Sequence, residues 1–115
     1  MQTKLNLVVL RSKDIEGLRS FYSKLLSAEF EEHTDHGPRH YGTQIGETYL
    51  EIYTTKQTQG QLDSVGFGTD GLEATIERVG REYIHRPAAD TPQGRAATLK
   101  DPDGRLVFLV ENTSQ

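Results

Sequence analysis

The residues best equipped for proton chemistry lie in two short runs, His33-Thr34-Asp35-His36-Gly37-Pro38-Arg39-His40-Tyr41 and Tyr49-Leu50-Glu51-Ile52-Tyr53. A two-residue reversal at Gly46-Glu47 between them pairs Ile45 with Thr48, Gly42 with Glu51 and His40 with Tyr53. His40 then shares a sheet face with Glu51 and stands diagonal to it, where an imidazole and a carboxylate can share a proton and act as general acid and base. His33 and His36 fall near the hairpin end, where a histidine is more often solvated than catalytic. A metal held by His36, His40 and Glu51 would need a bend between two ligands on one strand. Arg39 and Arg95, each near the start of a strand, are candidates for anchoring a carboxylate or phosphate.

The elements that must position these groups follow from apolar spacing. Leu5 to Leu10 reads as a strand. Asp14 can cap a helix over 14–27, whose Ile15, Leu18, Tyr22, Leu25 and Leu26 recur at intervals of three and four. Short strands are expected at Phe30–His33, 39–45 and Tyr49–Tyr53, and the polar stretch Thr54–Gln61 reads as a linker. The order then repeats: a strand at Val65–Thr69, a helix marked by Leu72, Ile76 and Val79 that stops at Gly80, a short strand at Tyr83-Ile84, and strands at Ala96–Lys100 and Leu106–Val110. An offset of 57 residues sets Asp14 on Gly71, Val8 on Val65, Leu50 on Val107 and Glu51 on Phe108. One register aligning strand, helix and final strand predicts a single domain over 1–115, built from two βαβββ modules at about 4–55 and 62–111. Asp101-Pro102-Asp103-Gly104 is turn chemistry, and Phe21 and Tyr22 read as core.

Composition bounds the rest. The chain has 115 residues, 34% apolar, with a net charge of −4 and scattered Lys and Arg, which disfavours nucleic acid. The longest apolar run is Leu106–Val110, too short to cross a membrane. With no Cys and no signal-peptide core, the expected location is cytoplasmic.

Two such modules, with Asp14-Ile15-Glu16 and Phe21-Tyr22 in the first helix, Leu50-Glu51-Ile52-Tyr53 closing the first module and Asp101-Pro102-Asp103-Gly104 before the last strand, resemble the vicinal oxygen chelate superfamily of glyoxalases, extradiol dioxygenases and bleomycin-resistance proteins. The resemblance implies an α+β fold with a curved mixed sheet around a cleft, and a homodimer. The family's four metal-ligand positions fall on Leu7, Glu51, Ser64 and Phe108, of which only Glu51 is a strong ligand, so no metal or other cofactor is expected. If Glu51 faces the cleft, strand alternation adds Leu7, Val9, Arg11, Tyr49, Tyr53, Leu106, Phe108 and Val110, with glycines at 66 and 68 making room or marking a bulge. Leu7, Phe108 and Val110 have core packing as their alternative role. The expected ligand-binding set is Leu7, Val9, Arg11, Arg39, Tyr49, Tyr53, Ser64, Arg95 and Phe108, and the expected catalytic pair is His40 and Glu51. Three functions fit: a small-molecule binding or resistance protein that has lost most metal ligands; a lyase or isomerase of the glyoxalase kind, metal-free or with a rebuilt metal; or a dimeric interaction module.

Overall fold

The computed structural model describes residues 5–34, 37–56 and 64–112. In chain order these form β1 (Leu7–Ser12), α1 (Ile15–Leu26), β2 (Glu31–His33), β3 (His40–Ile45), β4 (Thr48–Thr54), β5 (Val65–Thr69), α2 (Leu72–Val79), a 3₁₀ turn at Arg81–Tyr83, β6 (Ile84–Thr91), β7 (Gly94–Lys100) and β8 (Leu106–Glu111). The first half makes one four-stranded sheet in the order β1-β4-β3-β2 and the second makes another, β5-β8-β7-β6. In each, the first and last strands run parallel and the rest antiparallel. Val9 stands opposite Glu51 and Gly66 opposite Phe108, so the offset of 57 read from the sequence is the structural repeat.

The two helices start in different ways. The Asp14 carboxylate accepts the Gly17 N–H at 3.1 Å, satisfying a donor the helix leaves free, and α1 ends where Ser27 turns left-handed at φ 52°. In α2 that place is Gly71, which has no capping side chain, and the Glu111 carboxylate at the end of β8 accepts the Leu72 N–H at 2.9 Å instead. Both helices turn their apolar faces to the sheets. Leu18, Tyr22, Ile52, Leu72, Ile76, Leu99, Val107 and Leu109 form the centre of one core that the modules share.

The modules are also joined by polar contacts. The Asp101 carboxylate is buried, accepts the Tyr22 hydroxyl at 2.7 Å and the Arg105 guanidinium at 2.5 Å, and takes the Arg105 N–H as well. Arg105 donates onward to the Arg11 carbonyl, and the Ser12 hydroxyl donates to Asp103. Arg78 on α2 donates to the carbonyls of Lys24 and Leu25, at the end of α1. The turn is therefore more than its own chemistry: it docks the second module on the first.

One expected element is corrected. Tyr83 belongs to the 3₁₀ turn, and the strand expected to be short at Tyr83-Ile84 runs for eight residues, Ile84–Thr91. Pro87 lacks an N–H, and the pairing with β7 shifts on both sides of Arg86, so no period of two marks this edge strand. His36 and most of the expected linker, residues 57–61, lie outside the described residues. Among the described residues no helix is long and apolar enough to cross a membrane.

Candidate functional site

Strand parity divides each sheet. Leu10, Ser12, Tyr41, Thr43, Leu50 and Ile52 point to α1, leaving Leu7, Val9, Arg11, His33, His40, Gly42, Tyr49, Glu51 and Tyr53 on the opposite face. Tyr49 and Tyr53 flank Glu51 on β4. The expected pairings of Gly42 with Glu51 and Ile45 with Thr48 are the observed ones. His40 lies flat on Tyr53, ring centroids 4.2 Å apart and planes within 9°, and Arg11 covers the Tyr53 ring at 5.7 Å. The His40 Nδ1–H donates to the Pro38 carbonyl at 3.0 Å, which aims Nε2 at the Glu51 carboxylate 3.7 Å away.

His33 joins this group. Its Nε2 shares a 2.9 Å hydrogen bond with the Tyr49 hydroxyl, and its ring lies 5.3 Å from that of His40. Tyr49 reaches it because residue 42 is a glycine: a Cβ there would run into the Tyr49 ring. Burial, with the charges of Glu31 and Glu51 adding to it, pushes the Tyr49 phenol above its ordinary value, so it stays a neutral hydrogen-bonding group. The signal for His33 was the hairpin register, which pairs it with His40.

The matching face of the second module is made differently. Phe108 and Val110 stand on it between Thr98 and Ala96 of β7 and the two glycines of β5, and they line a half-open cleft of about 480 Å³ together with Arg86 and Ala89 of β6. Leu7 is 48% exposed, Val9 38% and Phe108 43%, so these three are surface groups of the faces turned away from the helices and not core.

Three expected ligand contacts lie elsewhere. Arg39 lies just ahead of β3, next to His40, and turns to the helix side, where it pairs with Glu16 at 2.6 Å and donates to the Tyr41 hydroxyl at 2.9 Å. Tyr41 and Arg39 together hold the Glu16 carboxyl below its usual range. Arg95 repeats that clasp in the second module, reaching Glu73 of α2 at 3.3 Å and Asp90 at 3.4 Å. Ser64 is exposed, just ahead of β5.

The donor set does not fit the metal that the resemblance implies. Leu7 and Phe108 have no donor atom, Ser64 sits outside the strand, and Glu51 faces His40. Among the described residues no three His, Cys, Asp or Glu side chains converge on a point.

Known proteins share this architecture. A family model described as the Glyoxalase/Bleomycin resistance protein/Dioxygenase superfamily matches residues 4–109. Among solved structures, TnmS3, an antibiotic binding protein from Streptomyces sp. CB03234, superposes with a TM-score of 0.73 at 22% identity, over 97% of this chain and 98% of its own. A glyoxalase/bleomycin resistance protein from Catenulispora acidiphila DSM 44928 gives 0.69 at 21%, over 96% and 100%. A glyoxalase/bleomycin resistance protein/dioxygenase family enzyme from Burkholderia phytofirmans PsJN gives 0.72 at 17%, over 95% and 98%. No curated protein matches.

Proposed function

The chain belongs to the glyoxalase/bleomycin resistance protein/dioxygenase superfamily, and we propose that it works there as a cytoplasmic, homodimeric binding protein that takes up a small organic molecule without a metal. The observation that carries this reading is the apolar cleft over Phe108, within the size range of small-molecule sites and lined mainly by aliphatic and aromatic groups with a few polar ones. That a protein of the same fold is an antibiotic binder supports it. Leu7, Val9 and Phe108, large side chains left in water, are the surface a ligand or a second chain would cover.

The test is a titration of ¹⁵N-labelled protein with 2-naphthamide, a neutral flat probe. Saturable shifts at the amides of Ala96, Thr98 and Phe108 are expected, and Phe108→Ala should weaken binding by about tenfold through lost ring contact. No saturable shift on this face would overturn the reading. Sedimentation equilibrium should give two chains; a monomer at tens of micromolar would remove the dimer.

A second reading, a lyase or isomerase of the glyoxalase kind, rests on His40. Its Nδ1 is occupied by Pro38 and its Nε2 faces Glu51, an arrangement suited to passing one proton. A turnover lost in both His40→Gln and Glu51→Gln, with probe binding intact, would favour it.

A further inference from the structure

Four residues stand side by side across the second sheet: Arg86 on β6 is opposite Thr98 on β7, Thr98 opposite Phe108 on β8, and Phe108 opposite Gly66 on β5. The row runs cation, hydroxyl, ring, open space. A Cβ at Gly66 would only just touch Phe108, so nothing on β5 covers that side of the ring. Arg86 is held between two irregularities in the pairing of β6 with β7, and such bulges re-aim a side chain.

Two polar groups of this row are unspent. The chain has eight arginines, and seven are engaged: Arg11 on the Tyr53 ring, Arg19, Arg39, Arg81 and Arg95 with carboxylates, Arg78 with carbonyls and Arg105 with Asp101. Arg86, which lines the cleft, has no hydrogen bond or ion pair among the described residues. Thr98 is 8% exposed as a residue, and its hydroxyl, which likewise has no hydrogen-bond partner among them, opens on the cleft rather than being sealed from solvent. A hydroxyl and a guanidinium that face the same cleft without a protein partner are both available to a ligand, and the cleft contains no carboxylate to answer the charge.

We propose that this cleft selects a flat aromatic carboxylate, with its ring on Phe108 between Ala96, Val110 and the glycine side, and its two oxygens shared between the Arg86 guanidinium and the Thr98 hydroxyl. The proposal rests on the small-molecule reading above and adds the ligand's chemistry to it. A guanidinium fork matches the two carboxylate oxygens, and the small side chains on either side of Phe108 leave width for a planar ring and little grip for a branched chain. The acidic balance of the whole chain, −4, does not draw anions, so the selection falls to Arg86.

The experiment compares 2-naphthoate with 2-naphthamide, which share ring and size and differ in charge, by ¹⁵N NMR titration at neutral pH. 2-Naphthoate is expected to bind about tenfold more tightly than 2-naphthamide. Arg86→Gln should abolish that preference while leaving 2-naphthamide within about twofold of its parent value, and Thr98→Val should reduce it in part. Arg81→Gln, which removes the same charge from the exposed Glu77 pair, should leave both probes unchanged. Equal affinity of the two probes in the parent, or an Arg86→Gln that weakens both alike, overturns the carboxylate proposal and leaves the binding reading standing. Shifts confined to β1–β4 overturn it too. If neither probe binds, both fall.

Discussion

The same row of the repeat carries opposite chemistry in the two modules. In the first it reads Glu31, Gly42, Glu51, Val9, and in the second Arg86, Thr98, Phe108, Gly66. Around the first row stand His33, His40, Tyr49 and Tyr53, each touching another side chain of the group. Around the second stand alanines, a valine and a cleft. One backbone plan therefore gives a polar, self-engaged face and an apolar face with two unspent polar groups. The open side differs as well: Tyr49 fills the space over Gly42, whereas Phe108 leaves Gly66 free. The first face is suited to moving a proton and the second to holding a ring.

The turns that end the third strand of each module differ as sharply, and the largest expected effect lies there. Gly46-Glu47 is an exposed two-residue reversal, whereas the turn from Asp101 to Arg105 buries an ion pair against Tyr22 and the Arg11 carbonyl. Arg105→Met leaves the Asp101 carboxylate buried without its cation and should cost about 3–5 kcal/mol in urea unfolding. A loss below about 1 kcal/mol would mean the turn docks by packing alone.

Next in size is a contrast between glycines. Gly42→Ala forces the Tyr49 ring off the strand and breaks its bond to His33, at about 1–2 kcal/mol, with the His33 ring resonances moving in the NMR spectrum. Gly66→Ala meets the Phe108 Cβ only at 3.7 Å and should change stability by less than about 1 kcal/mol, in the favourable direction if β5 gains from a side chain. Equal costs would erase the distinction between the filled face and the open one.

The smallest effect depends on pH. Burial raises the Asp103 carboxyl above its ordinary range, the Ser12 hydroxyl and Arg105 acting against this and the Asp101 charge with it. One carboxylate oxygen is buried without a hydrogen-bond partner. A folded-state value above the unfolded one means the folded protein prefers the proton, so stability falls as pH rises through the interval between the two. Asp103→Asn keeps the acceptor for Ser12 and removes that fall. Its advantage over the parent should be largest at neutral pH and vanish below the usual carboxylate range, as urea midpoints at a series of pH values would record. A variant less stable at neutral pH by the same margin as in acid would assign Asp103 a purely structural part.

Much of the fold is legible in the sequence because apolar spacing reports burial directly: the repeat of 57 aligns the residues that the helices cover. The His40 and Glu51 neighbourhood is legible because a two-residue reversal leaves no freedom in the register. Arg39 and Arg95 show the limit of arguing from position alone. Each stands near a strand start, yet Arg39 adjoins His40, and strand parity puts neighbours on opposite faces. Arg86 and β6 are hidden for another reason. Pro87 and two shifts of register suppress the alternation by which a strand announces itself, so a residue lining the cleft lies in a stretch with no period. Asp101 reads as turn chemistry, which it is. Its burial depends on Tyr22, 79 positions away, and no local pattern reports a contact at that range.

The shifts in β6 bear also on how the molecule meets other chains. Among the described residues β2 ends one sheet and β6 the other, and both are poor templates: β2 has three residues, and β6 has a proline and uneven pairing. A further strand would find few aligned donors and acceptors there. The opposite edges, β1 and β5, contain no proline and pair without a shift with β4 and β8. Ordered growth of either sheet, whether by a sister chain or by misassembly at high concentration, is thereby disfavoured at β2 and β6 relative to β1 and β5.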